Sequence, residues 1–302
     1  MEEMTTGLCP KCGHTLQIPA ELERFSCMYC GERLTKRQLL TQPEEASCSE
    51  EDCAVSFDHA VSRLGWCVQN FRGYQKKILR DAFFEAFETY ETGCAPVIQE
   101  LNSGVRPERQ TELLERAAEA MLDELSAGWE KKNDMEDEKV ILAIFFVPMV
   151  RKLQLPVSEE FVTLLQKKWV ERYPKSPFYL GDYESISGGF RKKFLGLCFI
   201  TTAVCQELGK PDDCAELTAF RAFRDGYLAA QPDGEALIRE YYNIAPGIVT
   251  CINTCSDRHA SYERIREQYL TPCYEDLLAG RNADCKTRYV QMVRDLEREY
   301  LN

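Results

Sequence analysis

The sequence predicts a mainly α fold, with a small β ribbon at the N-terminus followed by a multi-helix body. Three observations carry that expectation. Cys9-Pro-Lys-Cys12 and Cys27-Met-Tyr-Cys30 are two Cys-x-x-Cys pairs fourteen residues apart. From about Phe57 onward, apolar residues recur at three- and four-residue spacing, the period of a helix with one buried face. Strand-like alternation is scarce outside the first forty residues.

Four sulfurs at this spacing match the closed tetrahedral geometry of structural zinc. Cys9, Cys12, Cys27 and Cys30 are therefore the predicted ligands, and one structural zinc is the predicted cofactor. Four cysteines also hold iron in rubredoxin-like sites; the compact loop favours zinc, and the colour of the purified protein separates the two. Thr15 to Ile18 and Arg24 to Ser26 read as short strands on either side of a Pro19-Ala20-Glu21 turn. Gly13 and Gly31 each follow a second ligand, where positive φ suits glycine. The ribbon is assigned to residues 1–37. Residues 38–56, with the acidic run Thr41 to Asp52 at their centre, read as a tether.

The body follows in two expected parts, 57–180 and 181–302. Tyr74, Ile78, Ala82, Phe83, Ala86, Phe87 and Tyr90 form one helical stripe. Pro107 opens a helix carrying Leu113, Leu114, Ala117, Met121 and Leu125, and Asp134 caps another whose apolar segment runs from Val140 to Val150. Helical hairpins are expected from this succession. Pro156-Val157-Ser158 introduces a helix through Trp169 that closes at Tyr173-Pro174. Lys175 to Gly189 reads as irregular. No repeat near 34 residues is present, which argues against a helical solenoid.

The C-terminal part carries several distinctive phrases: Cys198-Phe-Ile-Thr-Thr-Ala-Val-Cys205, Lys210-Pro-Asp-Asp-Cys214, Phe220-Arg-Ala-Phe-Arg-Asp225 and Tyr241-Tyr-Asn-Ile-Ala-Pro246. Together they resemble the bacterial CFI box, a domain named for its Cys-Phe-Ile opening and found at the C-termini of otherwise varied proteins. The resemblance runs from about Phe190 to Asn253. It implies a helical C-terminal module and no established reaction, and it also favours zinc over iron in the ribbon.

If Leu197 to Gln206 is helical, Cys198, Thr202 and Cys205 share one face. Asp212 or Asp213 would cap the next helix and place Cys214 in its first turn, where the helix dipole favours a thiolate. The plainer reading is packing, because free cysteine behaves as a small apolar residue. Arg221 and Asp225 are four apart with Arg224 beside them, and a local ion-pair network is the ordinary reading. The sharper one is an anion-binding fork of Arg221 and Arg224, joined by Tyr241 or Tyr242. Two further metal groupings are weak on spacing: Cys48, Cys53, His59 and Cys67, and Cys251, Cys255 and His259. The second requires a helix through Ser256-Asp257, a pair that more often caps a new helix.

The 302-residue chain has 37 Lys plus Arg against 49 Asp plus Glu, a formal charge of −12, which argues against a nucleic-acid footprint spread over the whole protein. Within residues 7 to 37, five basic residues exceed three acidic ones by two, and four thiolates on Zn²⁺ cancel that excess. Of fifteen cysteines, eleven are left after the four ligands, an odd number. With no basic and apolar leader at the N-terminus, the thiols are expected to be reduced and the protein cytoplasmic. The apolar runs Val140 to Val150 and Phe194 to Cys205 fall short of the roughly 20 residues that cross a bilayer. No Gly-x-Ser-x-Gly elbow occurs, and Ser187-Gly188-Gly189 lacks the Gly-Lys-Ser/Thr of a phosphate loop. The functional expectation is a zinc-binding cytosolic adaptor or scaffold with a protein partner and no catalysis of its own. Two alternatives stand beside it: a thiol- or metal-dependent enzyme or redox sensor using Cys198, Thr202, Cys205, Cys214, Arg221 and Arg224, and a nucleic-acid-associated ribbon protein.

Overall fold

Two antiparallel hairpins open the chain. The computed structural model describes residues 4–9, 15–29, 31–36, 39, 50–131, 133–191, 198–255 and 257–302. Strand β1 (Met4–Leu8) pairs with β2 (Thr15–Pro19) in a register that sets Leu8 opposite Thr15. Strand β3 (Arg24–Ser26) pairs with β4 (Arg33–Thr35), with Ser26 opposite Arg33. The two strands expected from the sequence exist, but they do not pair with each other. The Pro19-to-Leu22 turn, closed by the Leu22 amide on the Pro19 carbonyl at 3.0 Å, links two hairpins instead of making one. Each strand's partner lies on the far side of its own Cys-x-x-Cys segment.

Alternation in β2 turns Leu16 and Ile18 inward, where they meet Cys9, Cys27, Leu34 and Leu39. Gly7 lets β1 approach the chain at Leu39, since a Cβ there would overlap the Leu39 carbonyl. This cluster is small for a folding unit.

Contacts divide the chain into Met1–Ala54 and Val55–Asn302. Helix α1 (Glu50–Leu64) begins inside the expected tether, which therefore does not extend to residue 56. The reason is electrostatic: Glu50, Glu51 and Asp52 fall in the first turn, where carboxylates oppose the positive end of the helix dipole. Residues 41–49 lie outside the described residues.

After the short α2 (Trp66–Gln69), Gly73 takes φ 92° and breaks the expected stripe. Tyr74 sits in a 3₁₀ turn, Tyr74–Lys77, and the α-helical part, α3, runs from Phe83 to Gly104. Helix α4 (Gln110–Ala127) follows the 3₁₀ turn Pro107–Arg109 and buries Leu113, Leu114, Ala117, Met121 and Leu125 as expected. Helix α5 (Asp134–Ile141) passes through a wide π turn, Leu142–Phe146, into α6 (Val147–Leu153). All ten residues from Ile141 to Val150 are buried. Proline cannot donate to the carbonyl one turn back and its ring clashes there, so a wide turn just ahead of Pro148 relieves the strain. The same arrangement recurs at the π turn Arg266–Leu270 ahead of Pro272.

Helix α7 (Ser158–Arg172) lies beside α4. Thr111 bonds Glu160, Lys168 bonds Glu119 and Arg172 bonds Asp123, each pair 49 residues apart. A constant offset means the two helices run parallel, whereas a hairpin would make them antiparallel. Helix α8 (Tyr183–Arg191) occupies part of the segment expected to be irregular. Asp182 starts it by accepting the Ser185 amide and hydroxyl, both at 2.8 Å, and these bonds hold its carboxyl below the usual range.

The remaining helices are α9 (Phe199–Glu207), α10 (Ala215–Ala222) with a π turn Phe223–Leu228, and α11 (Gly234–Asn253). Helices α12 (Arg258–Ile265), α13 (Thr271–Leu278) and α14 (Asn282–Tyr300) close the chain. The expected division at residue 180 is absent, because one buried cluster extends from Phe57 to Leu301. Phe83 stacks on Phe190 at 4.3 Å, and the Arg80 amide donates to the Asn243 carbonyl at 3.0 Å. Gly247 meets the backbone at Ile78, where a Cβ would overlap the carbonyl oxygen.

Gly247→Ala should therefore destabilise the protein by about 1–3 kcal/mol, the usual cost of overpacking. Gly188→Ala, where an added methyl meets nothing, should be neutral or stabilise by up to about 1 kcal/mol. Urea denaturation of the two variants checks both expectations.

Candidate functional site

Two places concentrate chemistry-bearing side chains: the hairpin ends of the ribbon and the C-terminal cluster. In the ribbon, Cys9 follows the last residue of β1 and Cys27 follows the last residue of β3. Both are buried in the same small cluster. The second hairpin turns tightly: the Cys27 amide donates to the Glu32 carbonyl and the Gly31 amide to the Cys27 carbonyl, each at 2.8 Å. Gly31 has φ 73°, the left-handed conformation expected after a second ligand. Cys12 and Cys30 lie outside the described residues, and among the described residues no three His, Cys, Asp or Glu side chains stand together as a metal site. The hairpin register and the shared burial of Cys9 and Cys27 fit a metal held at the hairpin ends.

Exposure is uneven. Nine large apolar side chains are exposed among the described residues, and four of them, Met4, Leu22, Met28 and Tyr29, belong to the ribbon. Met28 and Tyr29, at 74% and 58% exposure, sit between the two cysteines of the second pair.

The expected shared face of Cys198, Thr202 and Cys205 is not formed. Helix α9 starts at Phe199, and Cys198 precedes it with φ −107° and ψ 82°. The three side chains consequently reach three surroundings. Cys198 Sγ lies 3.5 Å from Arg224 Nη1. Thr202 lines a groove with Glu207, Asn253 and Tyr262, and its buried hydroxyl has no hydrogen-bond partner among the described residues. Cys205 Sγ lies 3.7 Å from Cys214 Sγ. Cys214 is the residue before α10, one position short of the first turn expected for it.

The arginines also separate. Arg221 donates from Nη1 to the Asp212 carbonyl at 2.9 Å and from Nη2 to its carboxylate at 2.8 Å. Arg224, buried at the π turn, grips Asp225 through Nε at 2.6 Å and Nη2 at 2.8 Å. The expected Arg221–Asp225 pairing fails because the widened turn rotates Asp225 out of line with Arg221. Arg224 also bonds the Tyr242 hydroxyl. Nearby, the Tyr241 hydroxyl accepts the Ile200 amide at 3.0 Å, and Tyr289 bonds Tyr241 at 3.4 Å and Thr201 at 3.2 Å. Cys198, Arg224, Tyr241 and Tyr289 border a narrow apolar cleft with Phe220, Phe223 and Val293.

Protonation follows burial. Desolvation pushes the Cys198 thiol up, with Arg224 opposing it only in part. Cys205 is pushed up to about 12, first by burial and then by its contact with Cys214. Burial raises Tyr241 and Tyr289 as well. Neither cysteine is a thiolate at neutral pH, and both arginines are committed to neighbouring carboxylates.

The two weaker metal groupings do not assemble either. His59 Nδ1 is 2.7 Å from Glu100, Cys67 packs against Cys94, and Cys48 lies outside the described residues. Helix α11 ends at Asn253 and α12 begins at Arg258, so Cys251, Cys255 and His259 share no helical face; His259 faces Glu207 at 3.3 Å. Sequence reading missed two thiol pairs, Cys67 with Cys94 and Cys273 with Cys285, because their partners are 27 and 12 residues apart. It also missed the buried Glu138 carboxylate, which accepts from Arg72 at 2.8 Å and Trp129 at 2.7 Å and is raised by burial.

No family model matches this chain, and no curated protein or solved structure matches it. The CFI-box resemblance rests on its sequence phrases alone. Among the described residues, no helix is long and apolar enough to cross a membrane.

Alkylation of the native protein at pH 8 should modify Cys214 at least about tenfold faster than Cys198, Cys205 or Cys251, since only thiolates react and burial keeps those three protonated. Peptide mapping at timed intervals reads the order directly. Rapid modification of Cys198 would instead mark it as a reactive thiol.

Proposed function

We propose that the protein is a zinc-binding adaptor: its ribbon holds one structural zinc through Cys9, Cys12, Cys27 and Cys30 and docks a protein partner. The observation that carries the docking role is the concentration of exposed apolar side chains on the ribbon, above all Met28 and Tyr29. Exposed aromatic and methionine side chains are favoured where proteins meet. Zinc would supply folding energy that so small a cluster lacks, as in other metal-held modules. The raised Cys198 and Cys205 thiols and the committed Arg221 and Arg224 support a body without catalysis of its own. The reading places the protein in the cytoplasm, where cysteines stay reduced.

The test compares the full chain with Cys27→Ser and with Met28→Ser/Tyr29→Ser, by zinc content after dialysis against a mild chelator and by quantitative affinity capture. Wild type and the double variant should keep one zinc per chain, and Cys27→Ser should lose it. Both variants should lose the same captured partner. A partner retained by both would move docking to the helical body; zinc retained by Cys27→Ser would overturn the ligand assignment.

A further inference from the structure

We propose that Cys205 and Cys214 are a redox pair that closes to an intramolecular disulfide when the protein meets a hydroperoxide. This is independent of the adaptor reading and concerns a different part of the chain. Among the described residues of the body three thiol pairs stand in contact, but they differ in access. Cys67, Cys94, Cys273 and Cys285 are all fully buried. Cys214 is half-buried at the surface, with its sulfur 3.7 Å from that of Cys205.

The surroundings suit the chemistry. Cys214 immediately precedes α10, and its thiol bonds the Glu216 carboxylate in the first turn of that helix. Lys210 is held beside the pair by Glu216, and the two opposite charges both act on Cys205, Glu216 raising its thiol and Lys210 lowering it. The sulfurs must close from 3.7 Å to about 2.0 Å, the length of a disulfide bond. That movement falls on a surface turn: Pro211, Asp212 and Asp213 are exposed, and Gly209 takes φ 67°.

Roles follow from exposure. Cys214 Sγ attacks the terminal oxygen of the hydroperoxide; the S–O bond forms, the O–O bond breaks, and the other oxygen leaves as water or an alcohol. Cys205 Sγ then displaces the hydroxyl from the Cys214 sulfenic acid: the S–S bond forms, the S–O bond breaks, and water leaves. Two electrons pass from the sulfurs to the peroxide, and the two thiol protons end on the departing oxygens. Cys205, being buried, is shielded from the peroxide and stands 3.7 Å from the Cys214 sulfur that it attacks, reacting through its thiolate fraction.

Hydrogen peroxide is added to the native full-length protein, and disulfides are mapped by peptide mass spectrometry after alkylation. The Cys205–Cys214 cross-link should appear at least about tenfold faster than any Cys67–Cys94 or Cys273–Cys285 cross-link, whose sulfurs are closed to solvent. In Cys205→Ser, Cys214 should instead accumulate as a sulfenic acid trapped by dimedone. Wild-type protein in which Cys214 passes to sulfinic acid without cross-linking would overturn the proposal. So would closure no faster than that of the buried pairs, and the wild-type measurement decides this even where the variant folds poorly.

Discussion

One helix without a wet face organises the body. From Ile141 to Val150 every side chain is buried, so this segment needs apolar neighbours on all sides. A buried large apolar side chain contributes roughly 1.5–3 kcal/mol, so the eight in this run outweigh any local preference of the surrounding segments. Phe145 meets Phe83, Phe87 and Tyr90 of α3, and Phe146 meets Phe161 of α7. Phe83 in turn stacks on Phe190 of α8, and Arg151 at the helix end donates to the Leu180 and Gly181 carbonyls. Through these contacts the helix joins the two parts that the sequence seemed to separate at residue 180.

The same economy of partners governs the C-terminal cluster. A buried guanidinium without acceptors would be costly, and Arg224 meets that constraint through Asp225, Tyr242 and Cys198. Tyr241, Tyr289 and Thr201 satisfy one another and the Ile200 amide in the same way. A cluster so complete is a device for fixing four elements, α9, the π turn after α10, α11 and α14. Cys205 and Cys214 stand apart from it, and the partial exposure of Cys214 sets the pair apart from the other thiol pairs.

Much of this was legible in the sequence, and the losses have physical causes. The mainly α class and the buried faces of α3, α4 and α7 followed from helical periodicity, which reports burial directly. The pairing of the ribbon strands did not, because a turn at Pro19 and a turn within a Cys-x-x-Cys segment leave the same punctuation between short strands. Both arginine assignments assumed ideal helical spacing, and the π turn at Phe223–Leu228 changes that spacing by one residue. The CFI-like phrases located the cluster without its contacts. Cys198, Thr202 and Cys205 fell apart for a related reason: the helix starts after Cys198, not before it. The contacts of Cys94 and Cys285 with their partners depend on tertiary packing and leave no mark on local spacing.

If the ribbon holds zinc as proposed, different forces hold the two units: a metal the ribbon, and an apolar core the body. Hydrogen–deuterium exchange of the intact protein, with and without a zinc chelator, tests it most directly. Chelation should speed exchange throughout β1 to β4 and leave the amides of Ile141 to Val150 as slow as before. Equal acceleration in that central helix, or an unchanged ribbon, would contradict the claim.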